Sequence, residues 1–358
     1  MKNATKFGSG IVRTRSILFL GIALLVVSAT SRAQSNNSEE LNLTLQPGAH
    51  NSAPGSKLVY QHARAANTAA GKSLHAKEVA SGHGPAANSN SSDDGGILRY
   101  PGTVSYQGGP VVDSAEFHAV YLLPNGHCHI ADCWGDPEGF LRDLGKSDFI
   151  HLVDQYVGLQ SSNRYSVGFR AKVSYTPPTA PLTDSDIESV VYLVASATGA
   201  TGYGHIYHVF LPPGQDECFD STDSECYSPD NPTSFFFCGY HSSVDFSDIG
   251  HVLYTVEPYQ DVPGCQVKPG TPNGQLVDST DNVLNHESFE TISDPDGTAW
   301  WNTTSLPLNG EEISDECEFV TVQGQSAFFD VPSIKINGKR YGVQSIYSND
   351  VNACGTAP

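Results

Sequence analysis

Asn285-His286-Glu287-Ser288-Phe289-Glu290-Thr291-Ile292-Ser293-Asp294, followed one loop later by Glu311-Glu312-Ile313-Ser314-Asp315-Glu316-Cys317, is the part of the chain around which the rest is organised. Capping residues Asp278-Ser279-Thr280-Asp281 stand before it and Pro295 follows Asp294. A helix is therefore expected from about residue 278 to residue 294, since the residue before a proline avoids helical angles. On such a helix, residues four apart share a face. His286 and Glu290 can grip one cation while Glu287, one position round, reaches a water beside it. A metal ion lowers the pKa of its water, and a neighbouring carboxylate takes the proton as the water attacks a carbonyl, so the pattern suits a metal-dependent hydrolase. The competing reading is a solvated helix whose charges face water.

Ahead of this stretch strands and helices alternate. Residues 117–123 read as a buried strand, 137–157 carry apolar residues at helical spacing, and 165–175 alternate as a strand should. Thr183-Asp184-Ser185-Asp186 caps a helix running to about residue 197, and a strand follows at 206–211. Two more strand-like runs, 234–239 and 252–258, lead into the helix of His286. Alternation of this kind implies a layered α/β domain with a mixed sheet, here over residues 98–358, in which the metal helix comes after the sheet.

His286-Glu287-Ser288-Phe289-Glu290-Thr291-Ile292-Ser293-Asp294 with the later Glu-Glu-Ile-Ser-Asp resembles the thermolysin-like zinc peptidases (gluzincins), whose pattern is HExxH and then a second helix reading ExxxD. The resemblance covers about thirty residues. It implies a zincin-like fold, zinc as cofactor, a peptide or protein substrate, His286 and Glu290 as ligands and Glu311 as the third. It also implies Glu287 as general base and Asp315 as the residue that orients the ligand histidine. A shift of one residue would put Glu312 in place of Glu311. Glu290 stands where the family has its second histidine. The resulting set of one imidazole and two carboxylates is harder and more negative, which leaves the identity of the metal open.

A second resemblance is spread over residues 99–358. Tyr106-Gln107-Gly108-Gly109-Pro110, Phe237-Cys238-Gly239-Tyr240-His241 and Val343-Gln344-Ser345-Ile346-Tyr347-Ser348-Asn349 with the final Cys354 are similar to the secreted phosphate-induced, EXORDIUM-like proteins. It implies an extracellular binding or signalling protein without catalysis, the alternative to the hydrolase.

Composition bounds both readings. Residues 1–33 join a basic start (Lys2, Lys6, Arg13, Arg15) to the apolar run 17–27 and Ser31-Arg32-Ala33, the layout of a signal peptide cleaved after Ala33, with an uncleaved anchor as the alternative. Residues 34–97, rich in Ser, Asn, Ala and Gly and free of cysteine, read as a disordered linker or a pro-segment, able in the second case to inhibit a peptidase before activation. Only 10 of the 19 basic residues but 34 of the 39 acidic ones follow residue 98, leaving that part with 24 net negative charges. Such a charge repels nucleic acid and anionic lipid, keeps an exported protein soluble and favours cations. A secreted (extracellular or periplasmic) monomer is expected. The eight cysteines all follow residue 127, an even count that suggests disulfides; sequence cannot choose among about 105 pairings, and near neighbours are taken as the expectation, Cys128 to Cys133, Cys218 to Cys226, Cys238 to Cys265 and Cys317 to Cys354, with a structural zinc site as a rival that no CxxC pair supports.

Other candidates are weaker. Tyr240 and His241, at a strand end before the metal helix, could stabilise an oxyanion or donate a proton, with His251 and Tyr254 behind them. Asp296 sits ten residues past His286, a ligand spacing of the metzincins, but the only methionine is Met1 and no later methionine turn exists. The loop 216–226 concentrates carboxylates that would suit calcium or simply face water. His127, His129 and Asp132 around Cys128 and Cys133 could form a metal knot, though a small disulfide loop explains the cysteines. No GxSxG elbow is present for a serine nucleophile.

Overall fold

The computed structural model describes residues 39–46, 61–80, 104–124, 128–158, 164–219, 222, 224–303, 308–319 and 328–358. They fall in one of the two units into which the chain divides, Ser38–Pro358; the expected signal peptide lies outside the described residues. A seven-stranded sheet is built from β1 (Glu40–Thr44), β2 (Gln61–Arg64), β3 (Ala115–Pro124), β4 (Tyr165–Tyr175), β5 (His205–Phe210), β6 (Phe237–Phe246) and β7 (Gly250–Glu257). The spatial order is β1-β4-β3-β5-β7-β6-β2. Every pairing is parallel except those of β6, which runs antiparallel to β7 on one side and to β2 on the other. The protein is thus mixed α/β with one large mixed sheet. Among the described residues no helix is long and apolar enough to cross a membrane.

Among the described residues the helices of two turns or more are α1 (Ala69–Ala80), α2 (Pro137–Leu144), α3 (Asp184–Thr198) and α4 (Gln275–Ser293). The chain passes from β3 outward to β4 and then back across β3 to β5. Two right-handed crossovers in opposite directions put their helices, α2 and α3, on opposite faces. Strands β3 and β5 are buried at nearly every position, as central strands covered on both faces must be. The apolar spacing of 137–157 resolves into α2, a 3₁₀ turn at Phe149–Val153 and one turn at Asp154–Val157. The break comes at Ser147, whose hydroxyl donates to Leu144 O and accepts from Ile150 N–H. At the start of α3, Thr183 and Asp186 form the reciprocal capping box.

Two further boundaries differ from those read off the sequence. Strand β6 runs on through His241, Ser242 and Ser243, because these polar residues lie buried between layers instead of in solvent. Helix α4 begins at Gln275, after Gly274 at φ 91°, and Asp278 does not cap it. The Asp278 carboxylate instead accepts from Asn273 N–H at 2.8 Å and Gly342 N–H at 2.8 Å, tying the helix to two neighbouring segments. At its C-terminus α4 does stop before Pro295, with Asp294 as the last capping residue.

From the stretch read as linker or pro-segment come β1 and β2, one at each edge of the sheet, together with α1. The four disulfides are Cys128–Cys133, Cys218–Cys226, Cys238–Cys265 and Cys317–Cys354, and they fit an oxidising compartment. The last one anchors the Asp315–Cys317 turn to the C-terminal strand Ala353–Gly355.

Alternation along β6 sends neighbours to opposite faces. His241 points towards α4, and Tyr240 points to the α3 face, where its hydroxyl donates to Asp184 Oδ1 at 2.7 Å. Tyr254 on β7 donates to the same carboxyl at 2.8 Å. Burial pushes the Asp184 acid up to about 7 despite these two hydroxyls, and Glu188 adds to the effect. The folded value exceeds the unfolded value of about 4, so the protonated acid favours the fold. That contribution is complete below about pH 4 and is lost as the pH rises to 7. Asp184→Asn keeps the neutral shape, so the variant should gain on wild type between pH 5 and pH 8 by a few kcal/mol, read from urea midpoints at the two pH values. Parallel behaviour of the two proteins would mean that Asp184 is ionised throughout.

Candidate metal centre

Helix α4 is polar in sequence, yet every residue from Asp278 to Ser293 is buried. An amphipathic helix normally turns such residues to water, so their burial demands partners on all sides. His286 and Glu290, one turn apart, project towards the turn that carries Asp315, with Nε2 of the ring 3.1 Å from Glu290 Oε2 and 3.7 Å from Asp315 Oδ1. His241 approaches from β6, its Nδ1 3.5 Å from Glu287 Oε2 and 3.7 Å from Glu290 Oε2. Its Nε2 is 3.8 Å from Glu312 Oε2 and 3.2 Å from the carbonyl of Asp294. Two overlapping groups of three result, His286-Glu290-Asp315 and His241-Glu290-Glu312, which share Glu290.

The outer contacts prepare these donors. Gln344 donates through its amide nitrogen to Ser314 O at 2.6 Å, so its carbonyl oxygen faces His286 Nδ1 at 3.1 Å and must accept from it. That proton on Nδ1 leaves Nε2 to face Glu290 and Asp315, as a ligand nitrogen should. Glu290 Oε1 accepts the backbone N–H groups of Ser314 at 3.1 Å and Asp315 at 3.0 Å, which turns Oε2 inward. Asp315 Oδ2 accepts from Glu312 N–H at 3.1 Å, and its Oδ1 is 3.0 Å from Arg64.

Charge follows the same logic. Burial would neutralise the His286 ring, but Glu290 and Glu287 overcome it and favour its protonated form well above its usual range; a divalent ion at Nε2 would take the place of that second proton. In return, although burial opposes it, the His286 cation pulls Glu290 below the ordinary carboxylate range. Burial pushes Glu287 up to about 7 against the pull of His241 and His286, a value suited to a general base at neutral pH. Glu312 is raised well above the usual range by burial and by Asp294 and Glu290.

The residues fit a divalent cation by one direct observation. His286 Nε2 with Glu290 Oε2 at 3.1 Å and His241 Nδ1 with Glu287 Oε2 at 3.5 Å are buried and face one another, and both oxygens of Glu312 are buried and complete no hydrogen bond. Each such atom costs about 1–3 kcal/mol or more if left so, and a cation in their midst satisfies several at once. Donors about 2 Å from one tetrahedral ion lie about 3.3 Å apart, close to the separations around His286. Imidazole with carboxylates suits zinc and harder divalent ions alike.

The remaining candidates are placed elsewhere. Glu311 adjoins the centre but pairs with Arg64 at 2.8 Å. Asp296 pairs with His251 at 3.1 Å and accepts from Tyr203 at 2.6 Å, apart from the ligand groups. Tyr240 and Tyr254 meet at Asp184 on the other face. His129 is exposed beside the Cys128–Cys133 bridge, and His127 lies outside the described residues. In the 216–226 loop, Asp216 accepts from Ser228 at 2.6 Å and Glu217 is buried with Tyr240; Asp220 and Asp223 lie outside the described residues. A further group, Glu116-His118-His205, occupies the α3 side of the sheet, where the two rings share a hydrogen bond of 3.0 Å.

Sequence reading missed Gln344 as the partner of His286, and Arg64. Both meet the centre from more than 50 residues away in the chain, His286 to Gln344 being a separation of 58. No family model, no curated protein and no solved structure matches the chain.

Close approach of α4 to β6 depends on Gly239. A Cβ there would lie 2.6 Å from Val283 Cγ1, 3.1 Å from Glu287 Oε1 and 3.1 Å from Val256 O. Gly239→Ala should destabilise the protein by about 1–3 kcal/mol, measured by urea unfolding. An unchanged midpoint would show that helix and strand can separate freely.

Proposed function

We propose that the chain is an exported metal-dependent hydrolase of peptide bonds, with a zincin-like arrangement of sheet, antiparallel strand and helix. His286 and Glu290 would hold the ion together with Asp315, and Glu312 and His241 stand beside them. The observation that carries this reading is the convergence of buried imidazole and carboxylate ligand atoms on Glu290, with Glu287 one position round the helix. Four disulfides support export.

When bound, a divalent ion supplies Lewis-acid polarisation of the scissile carbonyl and acidifies water. The chain's own residues do the rest. Glu287 takes the proton as the water oxygen bonds to the carbonyl carbon, then gives it to the leaving amine as the C–N bond breaks. His241 is raised, against burial, by Glu287 and Glu290, and the resulting cation beside Glu287 can stabilise negative charge developing on the substrate. Gln344 keeps the His286 ring in the ligand tautomer, and the Ser314 and Asp315 amides keep Glu290 aimed inward.

A second reading, a binding or signalling protein of the EXORDIUM-like kind with a structural ion, draws on one specific feature. All the donors are enclosed, with His286, Glu287, Glu290, Glu312 and Asp315 each 0% exposed, and structural metal sites are closed. Metal content and hydrolysis of a casein or peptide-library substrate separate the two. Wild type should carry about one equivalent of divalent metal, His286→Ala should lose it, and chelation should lower the melting temperature of wild type alone. Glu287→Gln should keep the metal and lose about 10²–10⁴-fold in hydrolysis. Metal retention with equal behaviour of wild type and Glu287→Gln on every substrate would favour the structural ion.

A further inference from the structure

The enclosure of the centre has a specific source in β2. This strand is the outermost of the sheet beyond β6, pairing antiparallel with His62 opposite Tyr240 and Gln61 opposite His241. Its backbone reaches the proposed base directly, since Ala63 N–H donates to Glu287 Oε1 at 3.3 Å. The next residues continue the same way, Ala65 N–H donating to Phe236 O at 3.0 Å and Ala66 N–H to Gly264 O at 2.8 Å. These contacts use main-chain groups that any extended peptide possesses.

Side-chain recognition in residues 63–66 rests on one residue, because the other three are alanines. The Arg64 guanidinium enters a ring of acids, 2.8 Å from Glu311, 3.0 Å from Asp315 and 3.8 Å from Glu318. Three carboxylates around a planar five-donor cation form a pocket that discriminates by charge and shape. A β6 edge covered by β2 alone, a base at its centre and an acid-lined pocket one residue further on are the parts of a site for an extended cationic peptide.

We propose that β2 is a tethered occupant of a peptide-binding edge, and that the ligand of this edge is an extended peptide with an arginine held by Glu311, Asp315 and Glu318. The inference rests on reading the adjoining centre as one that acts on peptides, and names both the class of peptide and what withholds the site from it. A tethered strand competes at an effective concentration in the millimolar range, so a free peptide enters only once the tether is cut or the strand is weakened.

The test replaces residues 86–92 of the full chain by the recognition sequence of a site-specific protease and cuts the purified protein. A fluorescein-labelled peptide of residues 61–68, Gln-His-Ala-Arg-Ala-Ala-Asn-Thr, is then titrated by anisotropy in the presence of EDTA. The intact chain should not bind it, and the cut chain should. The same peptide with alanine for arginine should bind the cut chain at least about 10-fold more weakly, and Glu318→Gln in the chain should narrow that preference. A cut chain that keeps its near-UV circular dichroism but binds no peptide would make β2 a permanent strand and overturn the proposal. Equal binding of the arginine and alanine peptides, or equal binding by intact and cut chains, would overturn it as well. If cutting unfolds the chain, the titration on uncut Arg64→Ala protein decides, with binding of the arginine peptide expected and its absence fatal. Because chelator is present and turnover is not read, a failure here leaves the hydrolase reading standing. Conversely, an inert metal centre leaves the peptide result untouched.

Discussion

Burying a polar helix is the constraint to which the rest of this structure answers. Helix α4 carries Asp278, Asp281, Asn282, Asn285, His286, Glu287 and Glu290 into the interior, each at 2% exposure or less. Unpartnered groups of this kind cost about 1–3 kcal/mol each and charged ones more, so the surrounding segments are arranged to meet them. Asp278 takes the amides of Asn273 and Gly342, Asn285 donates to Gln344 O, and Ser279 accepts from Val267 N–H. Glu290 takes the amides of Ser314 and Asp315, and Glu287 takes that of Ala63. Asp281, Asn282, Asn285 and Ser288 keep buried oxygens without a partner, and His286 and Glu290 turn theirs towards His241, Glu312 and Asp315.

Strand β6 links this helix to everything else. It runs against its neighbours, so its two faces and its outer edge serve different ends. His241 joins the acids beneath α4, Tyr240 joins Asp184 under α3, and the edge holds β2. Gly239 sits where strand and helix are closest and bears no side chain for that reason. The Cys238–Cys265 bridge secures the strand, and Cys317–Cys354 secures the acidic turn that faces it.

The acidity of the chain takes on a second meaning here. Taken as composition, an excess of carboxylates reads as a solvated, exported surface. Glu311, Glu312, Asp315, Glu316 and Glu318 are nevertheless all buried, at 4% exposure or less. Burial and neighbouring acids raise the proton affinity of Glu312 and Asp315, and the cluster draws in cations, of which the chain provides Arg64, His286 and His241. Local charge density, more than net charge, sets the chemistry of this region.

Much of the architecture was legible in local pattern. Alternation in 165–175, the capping box at Thr183 and Asp186 and the stop at Pro295 all depend on residues close in the chain, where spacing and backbone preference act directly. The i,i+4 pairing of His286 with Glu290 was legible for the same reason. The sheet edges were not. The 61–64 segment has too little apolar content to announce a strand, and acquires its place only because β6 offers an unpaired edge. Nor could sequence order choose among Glu311, Glu312 and Asp315, since neighbours in a turn point in different directions: Glu311 meets Arg64, Glu312 meets His241 and Asp315 meets His286. By itself, then, the sequence determined most of the central elements and the helix that bears the histidine and glutamates, consequences of short-range periodicity, while the pairing of the cysteines took the fold to settle. Which acids close around that helix, which glutamine orients the ring and which arginine enters among the carboxylates were decided by tertiary structure alone, because those contacts join segments whose separation along the chain carries no periodic signal.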